Sequence, residues 1–379
     1  MNNILKKIFF HIENGVLRFK RKKDIMFGIY NDIMFSYAED ILKILASRDD
    51  IRCWITIPPN LSMEGDFLYK LKRKKKDKGY KILPYIIAEK IKWDIVFLPD
   101  KNIYFRKGCK KIFSGHGLAA YSLIDGCEYI YNKQSLTEFD VIIEASYYIK
   151  EKVTKIMPEF ENKIFVAGSS KVDYIIQLKK ELNKKNFLKK IGFSTNRKTI
   201  MFISHWGEKS LLQKEWDNIK RFLPEILDKY NVIFTTHRRN LAPVLCDGID
   251  WKKEIEYFKR YDTFYFYNSN EDPFKFLTVS DLLITDHTSL GLYYLFLDKP
   301  ILFLDLIPNN EFSYSSIIPK TKEYVYIVKC FSNLTKDIET AQKSFKHGQY
   351  TGLTDKICSH VGEYHLRIKT LLTKFMEQV

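Results

Sequence analysis

Between Ser280 and Phe303 the chain reads as an apolar run, a hydroxyl-rich turn, a helical pattern and a second apolar run. The first run, residues 282–284, stops at Thr285-Asp286-His287-Thr288-Ser289. Residues 290–297 keep helical spacing, and residues 301–304 follow Lys299-Pro300. Two short strands joined through a helix must lie parallel in one sheet, because a hairpin cannot accommodate the helix. The turn sets backbone N–H groups and the hydroxyls of Thr288 and Ser289 at a helix N-terminus, where partial positive charge collects. Such a terminus can seat a phosphate. It can equally be an ordinary cap, since Asp, Ser and Thr are preferred there for their own sake.

The same alternation runs through the rest of the chain. In the first half, strands are expected at residues 25–29, 51–57, 95–98, 111–114, 141–144 and 163–167, with helices at 35–45 and 82–91. A Lys- and Asn-rich stretch, residues 177–198, reads as an interdomain linker. A second series follows, with strands at 199–204, 232–236, 263–267, 282–284 and 301–304 and a helix at 211–227. This pattern predicts an α/β protein of two Rossmann-like, doubly wound domains, 1–178 and 195–350, facing a central cleft. At 379 residues the chain is long enough for both, and 45% hydrophobic content supplies their cores.

The formal net charge of +16 implies an anionic partner. Lysine and arginine concentrate at residues 18–23 and 70–78, and Ile4, Leu5, Ile8, Phe9, Ile12, Val16 and Phe19 share one face of a helical wheel. A basic amphipathic helix of this kind suits an anionic membrane surface; a helix packed on its own domain beside a solvated basic loop is the plainer reading. Helix-turn-helix, RNP and zinc-finger patterns are missing, so no nucleic acid is expected. Six scattered cysteines show no metal-ligand spacing and look like reduced thiols of a cytoplasmic protein, and no apolar run reaches the length of a membrane span.

In doubly wound sheets ligands bind beyond the carboxyl ends of the strands, and the loops there carry the candidates. Gly115-His116-Gly117 follows one strand: the glycines permit close approach by a ligand, and the imidazole suits a general base. His237-Arg238-Arg239 follows another and can face phosphate oxygens, Arg through bidentate contacts. Ser204 and His205 follow a third. Lys171 and Asp173 follow Gly168, and Asp272-Pro273 opens a short helical pattern, where a cap is sufficient explanation. Walker, dinucleotide-binding and HExxH motifs are missing, as is a DxD pair at a strand end. Chemistry without a metal or cofactor is expected.

Together these residues resemble the CDP-glycerol glycerophosphotransferase family, which includes teichoic-acid primases and polymerases, over about residues 95–305. The resemblance rests on Gly115-His116-Gly117, on Gly168 to Asp173, on Thr199 to Trp206, on His237, and most specifically on Ser280–Ser289 with Lys299-Pro-Ile-Leu-Phe303. It implies a glycosyltransferase-B-like fold and a peripheral enzyme at the cytoplasmic face of the membrane. A last helix, residues 355–379, would return to the N-terminal domain. A CDP-activated donor is implied in the C-terminal domain, held by Arg238, Asp286, Thr288, Ser289, Ser204, His205, Lys171 and Asp272. His116 and His237 are the implied catalytic residues, with Gly115 and Gly117 in the acceptor loop. A polyol phosphate would pass to a lipid-linked or glycan hydroxyl, releasing CMP. Departures exist: Lys171 stands for the family's Arg, Gly207-Glu208-Lys209 for an expected Arg, and His287 for Tyr. A nucleotide-sugar transferase of capsule or lipopolysaccharide synthesis and a non-catalytic binding protein are the competing readings.

Overall fold

The computed structural model describes residues 22–58, 67–74, 79–99, 103–115, 117–118, 136–207, 210–267, 271–286, 288–306 and 321–377. These fall into two compact units, one formed by Met1–Ser170 with Cys358–Val379 and the other by Lys171–Ile357.

The first unit holds seven strands: β1 Lys23–Gly28, β2 Ile51–Thr56, β3 Tyr80–Ile82, β4 Ile95–Leu98, β5 Lys110–Phe113, β6 Val141–Glu144 and β7 Ile164–Val166. Their order is β3-β2-β1-β4-β5-β6-β7, with every pairing parallel. Strands buried on both faces need apolar residues throughout, which is why β4 and β6 are almost uninterrupted runs. One face is covered by the helix Asp32–Ala46, capped by the Asn31 side chain, and by the helix Tyr364–Met376. Ile368, Leu371, Leu372 and Phe375 of that second helix enter the same core as Ile25, Phe27 and Ile95. The helix expected at 82–91 shrinks to Tyr85–Ala88, because Tyr80–Ile82 is taken up as an edge strand.

Glu144, the last residue of β6, is 1% exposed, and neither carboxyl oxygen has a hydrogen-bond partner among the described residues. Burial pushes its pKa up to about 8.

The second unit holds β8 Thr199–Ser204, β9 Asn231–Thr236, β10 Phe264–Phe266, β11 Leu282–Thr285, β12 Ile301–Leu304 and β13 Tyr326–Val328, in the order β10-β9-β8-β11-β12-β13, again all parallel. Strand order reverses at β8, between β9 and β11. That reversal opens the crevice in which doubly wound sheets bind ligands.

The expected linker at 177–198 is not one, and the domain boundaries at 178 and 195 move with it. Residues from Lys171 onward belong to the second unit, in the helices Ser170–Glu181 and Lys184–Lys190. Val172, Ile175 and Leu188 are fully buried or nearly so, Phe187 packs on Phe276, and Lys184 pairs with Asp281. Asp281 also accepts the backbone N–H of Thr199 at 2.8 Å, fixing the start of β8. The polar composition reflects solvated outer faces on helices whose inner faces are apolar.

Candidate functional site

The loops after β8, β9 and β11 converge around one carboxylate. Asp286 is 1% exposed and accepts the backbone N–H of His205 at 2.8 and 2.9 Å, that of Leu211 at 3.2 Å and the Ser204 hydroxyl at 3.2 Å. Burial pushes its pKa up to about 7 against the pull of those donors. Ser204 Oγ in turn accepts the Leu212 N–H at 3.0 Å. The sequence expectation that Asp286 and Ser204 touch the donor is corrected: their polar atoms are spent tying the β8 loop to β11 and to the start of the helix Leu211–Lys229. They are positioning residues.

What they position is a cluster of rings. His205 and His237 lie 6.0 Å apart between centroids, and Trp206 is 5.9 Å from each. The Arg239 guanidinium sits 4.3 Å over the indole. Asn240 is fully buried and donates through Nδ2 to the His205 carbonyl at 2.8 Å and to Thr236 Oγ1, stitching β8 to β9.

Hydrogen bonding fixes both imidazoles. His205 Nδ1 lies 2.9 Å from the Trp206 carbonyl, which can only accept, so Nδ1 carries the proton. His237 Nδ1 accepts the Arg239 N–H at 3.2 Å, so there the proton is on Nε2. Burial lowers the His205 pKa. Burial, then His205, Arg239 and Arg238, lowers that of His237 to about 3. His237 is therefore neutral at physiological pH, able to donate a hydrogen bond through Nε2 but carrying no charge toward a phosphate. Positive charge in this loop rests on Arg238, which also acts on the Tyr267 hydroxyl, and on Arg239.

Thr288 and Ser289 lead into the short helix Leu290–Tyr294. Ser289 already has helical dihedrals and makes no capping bond, and Thr288 Oγ1 is buried without a partner among the described residues. Asp272 is corrected to a cap: Oδ1 accepts the Phe274 N–H at 3.0 Å and Oδ2 accepts the Tyr174 hydroxyl. Lys171 stands half-buried in the first turn of the helix that carries Tyr174. In the first unit Gly115 and Gly117 have φ of +62° and +121°, values that favour glycine. His116 between them, and His287, lie outside the described residues.

Asn240 was not singled out by the sequence. The visible signal was its place four residues beyond the end of β9.

The family model described as CDP-Glycerol:Poly(glycerophosphate) glycerophosphotransferase matches residues 104–316, more than half of the chain. The chain belongs to this family. Similar solved structures include the wall teichoic acid polymerase TagF, at 16% identity over 99% of this chain and 98% of that one with a TM-score of 0.65. A TagF variant soaked with CDPG gives the same TM-score at 14% identity over 100% and 99% of the two chains. The UDP-GlcNAc 2-epimerase of Methanocaldococcus jannaschii matches at 17% identity over 93% and 99%, with a TM-score of 0.60. These likenesses establish the fold as glycosyltransferase-B-like. No curated protein sequence matches significantly. The family match spans β8, β9 and β11, the strands that carry the ring cluster and its carboxylate hub.

Proposed function

We propose that the enzyme transfers a polyol phosphate, glycerol- or ribitol-phosphate-like, from a CDP-activated donor to a hydroxyl of a lipid-linked or glycan acceptor, releasing CMP. The observation that carries this reading is the convergence of His205, His237, Arg238 and Arg239 at the strand-order reversal of the second unit, held there by Asp286 and Asn240. Arginines supply positive charge for a diphosphate, a neutral His237 supplies an N–H, and the Thr288–Ser289 turn adds hydroxyls.

In the reaction the acceptor oxygen forms a bond to the distal phosphorus while the bond from that phosphorus to the bridging oxygen breaks. CMP carries away the electron pair. The acceptor proton passes to a base, for which His116 is the candidate. Phosphoryl transfer is mostly positioning and charge stabilisation, so a small set of fixed groups suffices. Work at the cytoplasmic face of an anionic membrane is part of the proposal; the basic N-terminal sequence supports it, as do Leu68 and Tyr69, exposed in the Lys-rich helix Phe67–Lys74. Among the described residues no helix is long and apolar enough to cross a membrane.

A donor screen decides the matter: purified protein, a soluble acceptor analogue, and CDP-glycerol, CDP-ribitol or UDP-GlcNAc, with nucleotide release read by chromatography. CMP from the CDP-polyols supports the proposal. UDP from UDP-GlcNAc alone would replace it with sugar transfer.

A further inference from the structure

The two imidazoles of the ring cluster present opposite polarities. Every polar atom of His205 but one is committed: its N–H to Asp286, its carbonyl to Asn240, and Nδ1–H to the Trp206 carbonyl. Nε2 is left with a lone pair and no partner among the described residues. His237 is the complement, since Nδ1 is taken by the Arg239 N–H and Nε2 carries the proton. One acceptor and one donor thus stand on rings 6.0 Å apart, inclined at 41°. A single oxygen making two hydrogen bonds of about 2.8 Å reaches nitrogens up to about 5.6 Å apart, so rings at this centroid spacing can share one oxygen when their Nε2 atoms turn toward each other.

Few groups satisfy such a pair through one atom. A fully ionised phosphate oxygen only accepts and would meet the His205 lone pair unfavourably; an ammonium only donates. A hydroxyl does both. Positive charge suited to phosphate is on Arg238 and Arg239.

We infer that His205 is a specificity-determining residue: its Nε2 accepts a hydrogen bond from one hydroxyl of the transferred group while His237 Nε2–H donates to the same oxygen, so the site selects a hydroxyl-bearing polyol. The inference deepens the proposed function and rests on it. Sites that hydrogen-bond a substrate hydroxyl reject analogues lacking it, because their own polar groups are then left unmet.

The test compares CDP-glycerol with its CDP-propyl analogue, equal in charge and length but lacking the free hydroxyls. Both are titrated calorimetrically into wild type, His205→Phe and His205→Gln, and near-ultraviolet circular dichroism confirms that Trp206 keeps its surroundings. Wild type is expected to prefer CDP-glycerol by tenfold or more. The Phe variant keeps the ring packing and should lose that preference while binding the propyl analogue within about twofold of wild type. The Gln variant, which offers an amide acceptor, should restore most of it. An unchanged preference in the Phe variant, equal loss of both ligands in both variants, or a wild type that binds both equally overturns the inference and leaves the nucleotide donor standing. A wild type that binds neither overturns the proposed donor, and the inference with it.

Discussion

Replacing Glu144 with Gln should stabilise the protein, and increasingly so as pH rises. The carboxyl is fully buried, and its oxygens have no partner among the described residues. Its pKa rises from 4.5 to about 8 on folding. The native state therefore holds a proton that the unfolded chain releases above pH 4.5. With the folded pKa raised, stability is greatest below 4.5 and is lost as pH climbs toward 8. The shift of about 3.5 units corresponds to about 5 kcal/mol in the alkaline limit, at about 1.4 kcal/mol per unit. Glutamine keeps the shape and cannot ionise, so its stability has no such slope. The gap between variant and wild type should widen by roughly 3–4 kcal/mol between pH 5 and pH 8. Urea unfolding followed by circular dichroism at both pH values measures it. A gap of equal size at pH 5 and pH 8 would refute the reasoning and mean that the carboxylate has found compensation in solution.

Asp286→Ala should destabilise the second unit by about 3 kcal/mol or more, since two backbone N–H groups and a hydroxyl lose their acceptor; thermal unfolding, with calorimetric loss of CDP binding, reads both effects. Replacing Thr288 and Ser289 together by Ala should weaken CDP binding only in part, because the backbone N–H groups of the turn remain; unchanged affinity would remove the turn from the donor site. His116→Ala should lower turnover by about two to four orders of magnitude and leave donor affinity nearly intact, as expected for loss of a general base; equal loss of both would indicate a structural role. Removing residues 1–21 should release the protein from anionic vesicles at low salt while turnover on a soluble acceptor persists; retention in a flotation assay would count against the membrane proposal.

The strands that build the site were legible because parallel strands buried on both faces must be continuous apolar runs, as 282–284 and 301–304 are. The edge strands Tyr80–Ile82 and Tyr326–Val328 were not: three residues are too few to show a period, and a lysine interrupts the first. Residues 177–198 were misread because lysine and asparagine dominate the count, while the informative buried residues, Leu178, Leu188 and Phe193, are few and widely spaced. At the site, His205 and His237 could be found from their position after strands. The charge state of His237 could not, because it depends on burial and on His205, brought beside it by the pairing of β8 with β9. Asp286 looked like a ligand for a similar reason: only the fold shows that its oxygens are already occupied.

The first unit is assembled from two stretches of chain that lie on either side of residues 171–357, and this shapes its biogenesis. The apolar face of the first sheet emerges from the ribosome early, but the helix that covers it, Tyr364–Met376, is made only after the whole second unit. The second unit is contiguous and can close its core as it emerges. Until residues 358–377 arrive, Phe27, Ile95 and their neighbours face water or a chaperone, so the half of the molecule made first is the half completed last.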